Sequence, residues 1–136
     1  MPLARIDLPA GKSAVYKRAV ADVVYEAVVS VLKAPEGDRF QVITEHGPDT
    51  LLIDPHYFGI ERSADAMIIQ VTISGGRSSE MRQAFFKAIT EGLQARAGVR
   101  PEDVMINLVE TQRDNWSFGN GIAQYAVLDA QAQKKG

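Results

Sequence analysis

The sequence predicts an α/β (α+β) fold in which two consecutive β-α-β units form a four-stranded sheet with two helices on one face. Three observations predict it. "PLARIDL" and "MIIQVTIS" alternate apolar and polar residues with the period of a strand, and two longer stretches repeat apolar residues every three or four positions, the period of a helix. The turn joining strand to helix is also written twice: "GKSAVYKRAV" from Gly11 and "GRSSEMRQAF" from Gly76 are each Gly, a basic residue, then Ser, followed by a helical pattern.

In the first unit Ala4, Ile6 and Leu8 share one side of the opening strand. The helix after it carries Tyr16, Val20, Val23, Val24, Ala27, Val28 and Val31 as one stripe, with Ser13 as N-cap. In the second unit Ile69, Val71 and Ile73 take the places of Ala4, Ile6 and Leu8 at an offset of 65. Its helix carries Ala84, Phe85, Ala88, Ile89, Gly92 and Leu93, capped by Ser78 or Ser79 and stopped by Gly98. Gly92 sits inside the stripe at a cost to the helix, which predicts a close approach there. Both helices run to a Pro-Glu pair, Pro35-Glu36 and Pro101-Glu102, at an offset of 66, so a single insertion is expected and Phe40 and Val42 are matched with Ile106 and Leu108. The whole chain, 1–136, is read as a single domain of two repeats, about 2–58 and 66–128, each with its strands parallel through a right-handed crossover.

Two helices cover only one face of such a sheet. The other would hold Arg5, Asp7, Gln41, Ile43, Gln70, Thr72, Met105, Asn107 and Val109, too mixed for open solvent and too polar for a core. Parallel strands are normally covered on both faces, so sister chains in a symmetric oligomer are expected to supply the cover. The long connection between the units contains "LLI", a candidate extra strand, and the polar tail "AQAQKKG" is expected to fray.

Bulk composition excludes several functions. A net charge of −2 argues against a nucleic-acid or anionic-membrane binder, and no apolar run approaches the length of a membrane span. There are no cysteines, which excludes disulfides, thiolate catalysis and cysteine-held metal. The N-terminus lacks the basic and apolar regions of a secretory signal, and a cytoplasmic protein is the default expectation.

Methionine before a small residue is normally removed, which would leave Pro2 as a free secondary amine at the head of a strand. An α-amino group titrates at about 7.7–8.0, and burial or a neighbouring cation lowers that value toward a neutral base. Such an amine serves as general base, then acid, or forms an iminium with a carbonyl compound. The alternative is that Pro2 only begins an edge strand. Arg77 follows a strand and precedes a helix, at the end of the sheet where α/β proteins place ligands, and would bind a carboxylate; the alternative is a solvated turn arginine, as Lys12 is read in the first unit. Asp38, in "PEGDRFQ", would orient a water or a substrate hydroxyl, pair with Arg39, or cap a turn. Trp116 and Phe118 would line an apolar pocket or hook onto a neighbouring chain. His46 and His56 lack metal-ligand spacing, and no cofactor or metal is expected.

The ordered set "MPLARIDL", "APEGDRFQ", "GRSSEMRQAFF", "VRPEDVMINLVE" and "NWSFGNGIAQ" resembles the tautomerase superfamily, whose members use an amino-terminal proline, and most resembles its malonate semialdehyde decarboxylase group across most of the chain. The resemblance implies a homotrimer of doubled units closing a barrel of sheets. It implies Pro2 as base or acid, Asp38 activating water or positioning substrate, Arg77 binding a substrate carboxylate, and Trp116 and Phe118 walling the pocket. The chain departs from the group where the decarboxylases have an arginine, a residue and another arginine, since here Gly75-Gly76-Arg77 keeps only the second. Keto–enol isomerisation of a small 2-oxo acid needs one base and one carboxylate anchor and is therefore the leading expectation. Decarboxylation or hydration of a 3-oxo acid such as malonate semialdehyde is the alternative, and a non-catalytic trimeric binding protein is the second alternative.

Overall fold

The structure, a computed structural model, describes residues 2–135. Strand β1 (Leu3–Pro9) leads through a Ser13-capped turn into helix α1 (Ala14–Ser30), followed by β2 (Gln41–His46). The second unit is β3 (Met67–Ser74), α2 (Ser79–Ala97) and β4 (Val104–Thr111), and a third helix, α3 (Gln124–Lys135), ends the chain. The sheet order is β2-β1-β3-β4, with β1 parallel to β2, β3 parallel to β4, and β1 antiparallel to β3 at the centre. Both N-caps act as their residue types dictate. Ser13 Oγ accepts from the Tyr16 N–H at 3.0 Å and Ser78 Oγ from the Met81 N–H at 3.1 Å, each satisfying one of the free amides of a first turn. Gly98 ends α2 at φ 65°, a left-handed position that glycine reaches without strain.

One core joins sheet and helices. Ala4, Ile6, Leu8, Ile69, Val71 and Ile73 on the sheet pack beneath Val20, Val24 and Val28 of α1 and Phe85, Ile89 and Leu93 of α2. No helix among the described residues is long and apolar enough to cross a membrane.

The register corrects two expectations. Ala4 pairs with Gln41 and Ile69 pairs with Ile106. Since 69 − 4 and 106 − 41 are both 65, the strands of the two units keep one offset, and the shift to 66 is confined to the turn before the last strand of each unit. The helix-facing residues of β2 are therefore Gln41 and Ile43, not Phe40 and Val42. The open face carries Val42 and Thr44 beside Arg5 and Asp7, together with Gln70, Thr72, Met105, Asn107 and Val109. The slip has a physical cause. Gln41 tolerates the helix side because its amide donates to the Ala21 carbonyl at 2.9 Å and accepts from Arg39 Nε at 3.0 Å, so its polarity is satisfied there.

"LLI" forms no strand. The connection 47–66 is irregular apart from a 3₁₀ turn at Tyr57–Gly59, and is held by side chains. His46 links Asp7 Oδ1 (2.6 Å) to Thr50 Oγ1 (3.0 Å), and Arg62 donates to the carbonyls of Asp54, Tyr57 and Ile60. Asp103, only 2% exposed, accepts from Ser63 N–H and Oγ at 2.7 and 2.6 Å. At the constant offset of 65, Asp103 is the counterpart of Asp38, so the same carboxylate clamps the connection in one unit and stands beside Pro2 in the other. The polar tail is helical in the structure, with α3 continuing past Ala130 to Lys135.

Candidate active site

Pro2 is buried at the head of β1, a central strand rather than an edge. Its missing N–H costs nothing at the first position, and the chain is fastened immediately after it by the Ala4 N–H donating to the Phe40 carbonyl at 3.0 Å. Met1, whose removal the free amine requires, lies outside the described residues. The small cleft around Pro2 is lined by Val24, Tyr25 and Val28 of α1 and by Asp38, Arg39 and Phe40. Pro2 and Asp38 thus share one cavity.

The turn that presents Asp38 is built by Tyr25, which sequence periodicity left unremarked on the helix flank. Its hydroxyl accepts from the Gly37 N–H at 2.7 Å, and the Arg39 guanidinium lies 4.9 Å above its ring while donating to Asp22 at 2.7 Å. Gly37 stands at φ 86°, which lets the turn close ahead of β2. One carboxyl oxygen of Asp38 is sheltered from solvent.

Arg77 emerges where β3 ends, as expected, but its guanidinium is turned onto the backbone. Nε and Nη2 donate to the Leu32 carbonyl at 3.2 and 3.1 Å, and Nη1 donates to Ser74 O at 2.6 Å and Ser74 Oγ at 3.3 Å. A guanidinium has five N–H donors. Among the described residues, one N–H of Nη2 makes none of these bonds. The geometry fixes the cation and leaves an edge for an anion. Arg77 does not line the Pro2 cleft directly. The charges of Asp38 and Arg77 both reach the Tyr125 phenol. Burial, with Asp38 adding to it, pushes the Tyr125 phenol above its ordinary value, opposed by Arg113 and Arg77. The phenol therefore keeps its proton at neutral pH.

Trp116 and Phe118 stand in an aromatic row rather than in the cleft itself. Phe118 stacks on Trp116 with ring centroids 5.9 Å apart and lies 5.7 Å from Phe40, which lines the cleft, and 5.5 Å from Tyr125. Phe40 and Phe118 are 46% and 36% exposed, so this wall faces an opening. The Trp116 Nε1–H donates to Thr111 Oγ1 at 2.8 Å, and Gln124 holds the turn between by accepting from the Phe118 N–H at 2.9 Å and donating to Gly119 O at 3.1 Å. Tyr125 and α3 were invisible to hydrophobic periodicity because α3 buries no residue completely. Other groups hold it in place: Arg113 donates to both oxygens of Asp129, at 3.0 and 2.9 Å, and lies 4.5 Å above the Tyr125 ring.

That anchor has a pH signature. The hydrogen bond from Arg113 holds the Asp129 carboxyl below its ordinary value of 3.8. A depressed carboxyl contributes its stabilisation above the unfolded value and loses it as pH falls through the folded one. Trp116 fluorescence is therefore expected to change as pH drops below about 3.8, and Asp129→Asn is expected to show that altered signal already at neutral pH. Identical emission from both proteins across this range would contradict the anchoring.

Of the candidate replacements for an arginine at Gly75, Arg62 is bound to carbonyls of the connection and Arg113 to Asp129. The one beside Gly75 is Arg82, whose Nη1 donates to the Arg77 carbonyl at 2.7 Å and to Glu110 at 3.1 Å. Among the described residues no group of three or more His, Asp or Glu is placed to hold a metal ion.

The chain is similar to known proteins in family profile, in sequence and in fold. Two family profiles, each described as tautomerase enzyme, match residues 38–119 and 2–60. The chain is 34% identical over 124 residues to probable tautomerase YusQ of Bacillus subtilis, covering 91% of this chain and 98% of that one. It superposes on the crystal structure of FG41 malonate semialdehyde decarboxylase inhibited by 3-bromopropiolate with a TM-score of 0.87 and 42% identity, covering 93% and 96% of the two chains. A fused 4-OT symmetric trimer shares the fold, with a TM-score of 0.75 at 22% identity over 91% and 98% of the chains. A repeated β-α-β frame with a buried proline at its head, matched in profile and in sequence over nearly its whole length, belongs to the tautomerase family of enzymes.

Proposed function

We propose that this protein catalyses keto–enol isomerisation of a small 2-oxo acid, with Pro2 carrying the proton between carbon and oxygen. The observation that carries the reading is the burial of Pro2 in a cleft with Asp38, beneath an aromatic wall. Taking an amine out of water disfavours its charged form, so a free Pro2 is available as a base near neutral pH. Arg77, held by Leu32 and Ser74, offers its remaining N–H to the substrate carboxylate, and the apolar remainder of the substrate lies against Phe40, Phe118 and Trp116. A phenylpyruvate-like acid has this shape. Tyr125, whose ring lies 5.5 Å from Phe118 and whose phenol keeps its proton, adds a neutral donor to the aromatic wall.

A second reading, decarboxylation or hydration of a 3-oxo acid, is favoured by the 42% identity to a malonate semialdehyde decarboxylase and by Asp38 adjoining Pro2. Gly75 weighs against it, because the other guanidinium nearby, Arg82, is bound to Glu110 and the Arg77 carbonyl, and polarising two ends of a 3-oxo acid calls for more than Arg77. We further propose that three chains assemble, each covering the open sheet face of another, as supported by the fold shared with a symmetric trimer.

The test is turnover by protein shown by mass spectrometry to begin at Pro2. Ketonisation of phenylpyruvate enol is expected, with slower release of carbon dioxide from malonate semialdehyde. If Asp38→Asn keeps ketonisation and loses water addition, the two chemistries share the cleft. Failure to turn over either acid would overturn the proposal.

A further inference from the structure

The register of the sheet extends the row that begins at Pro2. Continuing the β1–β3 pairing by one residue sets Pro2 beside Ile73, and Ile73 pairs with Glu110. All three stand on the helix-covered face: Pro2 alternates with Ala4 and meets Val24 and Val28 of α1, while Glu110 alternates with Ile106 and Leu108 and meets Arg82 of α2. Two strand spacings, about 10 Å, therefore separate Glu110 from Pro2, with Arg77 rising from the strand between them. Gly75 leaves this corner open, since a Cβ built on it would lie 3.5 Å from Glu110 Oε2 and no larger side chain intervenes.

We infer that the Glu110–Arg82 pair sets the charge class of the substrate, confining the site to acids with one carboxylate, and that Glu110 is the residue that determines this specificity. The inference rests on the carboxylate-binding role proposed for Arg77. Arg82 is the second guanidinium at this corner, and it is already spent on Glu110 and on the Arg77 carbonyl. A second carboxylate on a compact substrate would meet a cation whose charge is neutralised and a like charge beside it. Removing Glu110 would release Arg82 as a second anchor, whereas removing Arg82 would leave Glu110 as bare repulsion. The side chains are 37% and 45% exposed, so water screens the effect and selectivity rather than absolute exclusion is expected.

Titration calorimetry with 2-oxobutyrate and oxaloacetate, which differ by one methyl against one carboxylate, tests the inference. The native chain is expected to prefer 2-oxobutyrate. Glu110→Gln should shift the affinity ratio toward oxaloacetate, roughly threefold to thirtyfold at low salt, and Arg82→Gln should shift it the other way. A pair that merely fastens α2 to β4 would change both affinities alike. An unmoved ratio in both variants, or binding of neither acid, overturns the inference. Repeating the titrations in Pro2→Ala separates the two claims. A ratio that moves there while Pro2→Ala retains full turnover sinks the proton-shuttle mechanism alone, and a fixed ratio beside lost turnover sinks only the role of Glu110.

Discussion

Pro2→Ala is expected to lower kcat for ketonisation by about 10²- to 10⁴-fold, the range that a positioned proton-transfer group contributes. The variant retains an α-amine after methionine removal, so the loss reports more than the presence of a nitrogen. The pyrrolidine ring locks rotation about the N–Cα bond and aims the lone pair, while a primary amine on alanine rotates freely and leaves part of the cleft unfilled. The ring also packs against Val24 and Val28, so some stability is lost as well, and circular dichroism must show the fold retained. The split between parameters is informative. Arg77, and not Pro2, is proposed to hold the carboxylate, so KM should move little while kcat falls. A protein with Met1 retained should be as inactive as Pro2→Ala, because its nitrogen is an amide and cannot take a proton. Full activity in either would exclude Pro2 as the base.

The opening strand, both helices with their caps, and the duplicated turn were legible because each is governed by local rules: period, capping and the left-handed glycine. The β2 register was not. Hydrophobicity placed Phe40 and Val42 inward, whereas the structure turns Gln41 inward and satisfies it through Ala21 and Arg39, partners 20 residues before and two before it in sequence. Periodicity reads polarity and cannot see whether a polar group will be paired. The same blindness hid the equivalence of Asp38 and Asp103, which only the constant strand offset discloses. α3 escaped for a different reason: it is held by the Arg113–Asp129 pair and by Tyr125 against Phe118, contacts between side chains with no apolar stripe behind them.

The site was legible to a similar depth. A carboxylate three residues ahead of β2 and a proline at the head of β1 meet because β1 and β2 are parallel neighbours, so their starting ends lie together. The turn after β3 reaches the same end because β3 runs antiparallel to β1. Topology thus accounts for Pro2, Asp38 and Arg77 at one end of the sheet. The direction of the Arg77 guanidinium follows only in part from nearby sequence, through Ser74, which accepts from Nη1 at 2.6 Å. The rest comes from the Leu32 carbonyl, just past the C-cap of α1 and 45 residues earlier, which accepts from both Nε and Nη2.

Gly92→Leu is expected to destabilise the protein by about 1–3 kcal/mol, although leucine is the better helix former, recovering much of the roughly 0.8–1 kcal/mol that separates glycine from alanine. The reason lies across the helix pair. A Cβ at Gly92 would stand 2.8 Å from Val23 Cγ1 and 3.4 Å from Cγ2. Val23 is buried on α1 and, being β-branched, has essentially one rotamer in a helix, so it cannot swing aside. The backbone of α2 or of α1 must move instead, and α1 carries Tyr25 and the turn that presents Asp38 two residues beyond Val23. Gly92→Leu should therefore reduce activity as well as the melting temperature, even though Gly92 touches nothing in the cleft. Gly92→Ala isolates the clash, setting nearly the full propensity gain against one displaced methyl. Combining it with Val23→Ala should recover stability beyond the sum of the two single changes, as expected for residues in direct contact. If Gly92→Ala proves more stable than the native chain, the two helices are not held apart by Val23, and the close approach inferred from a glycine inside an apolar stripe has no energetic content.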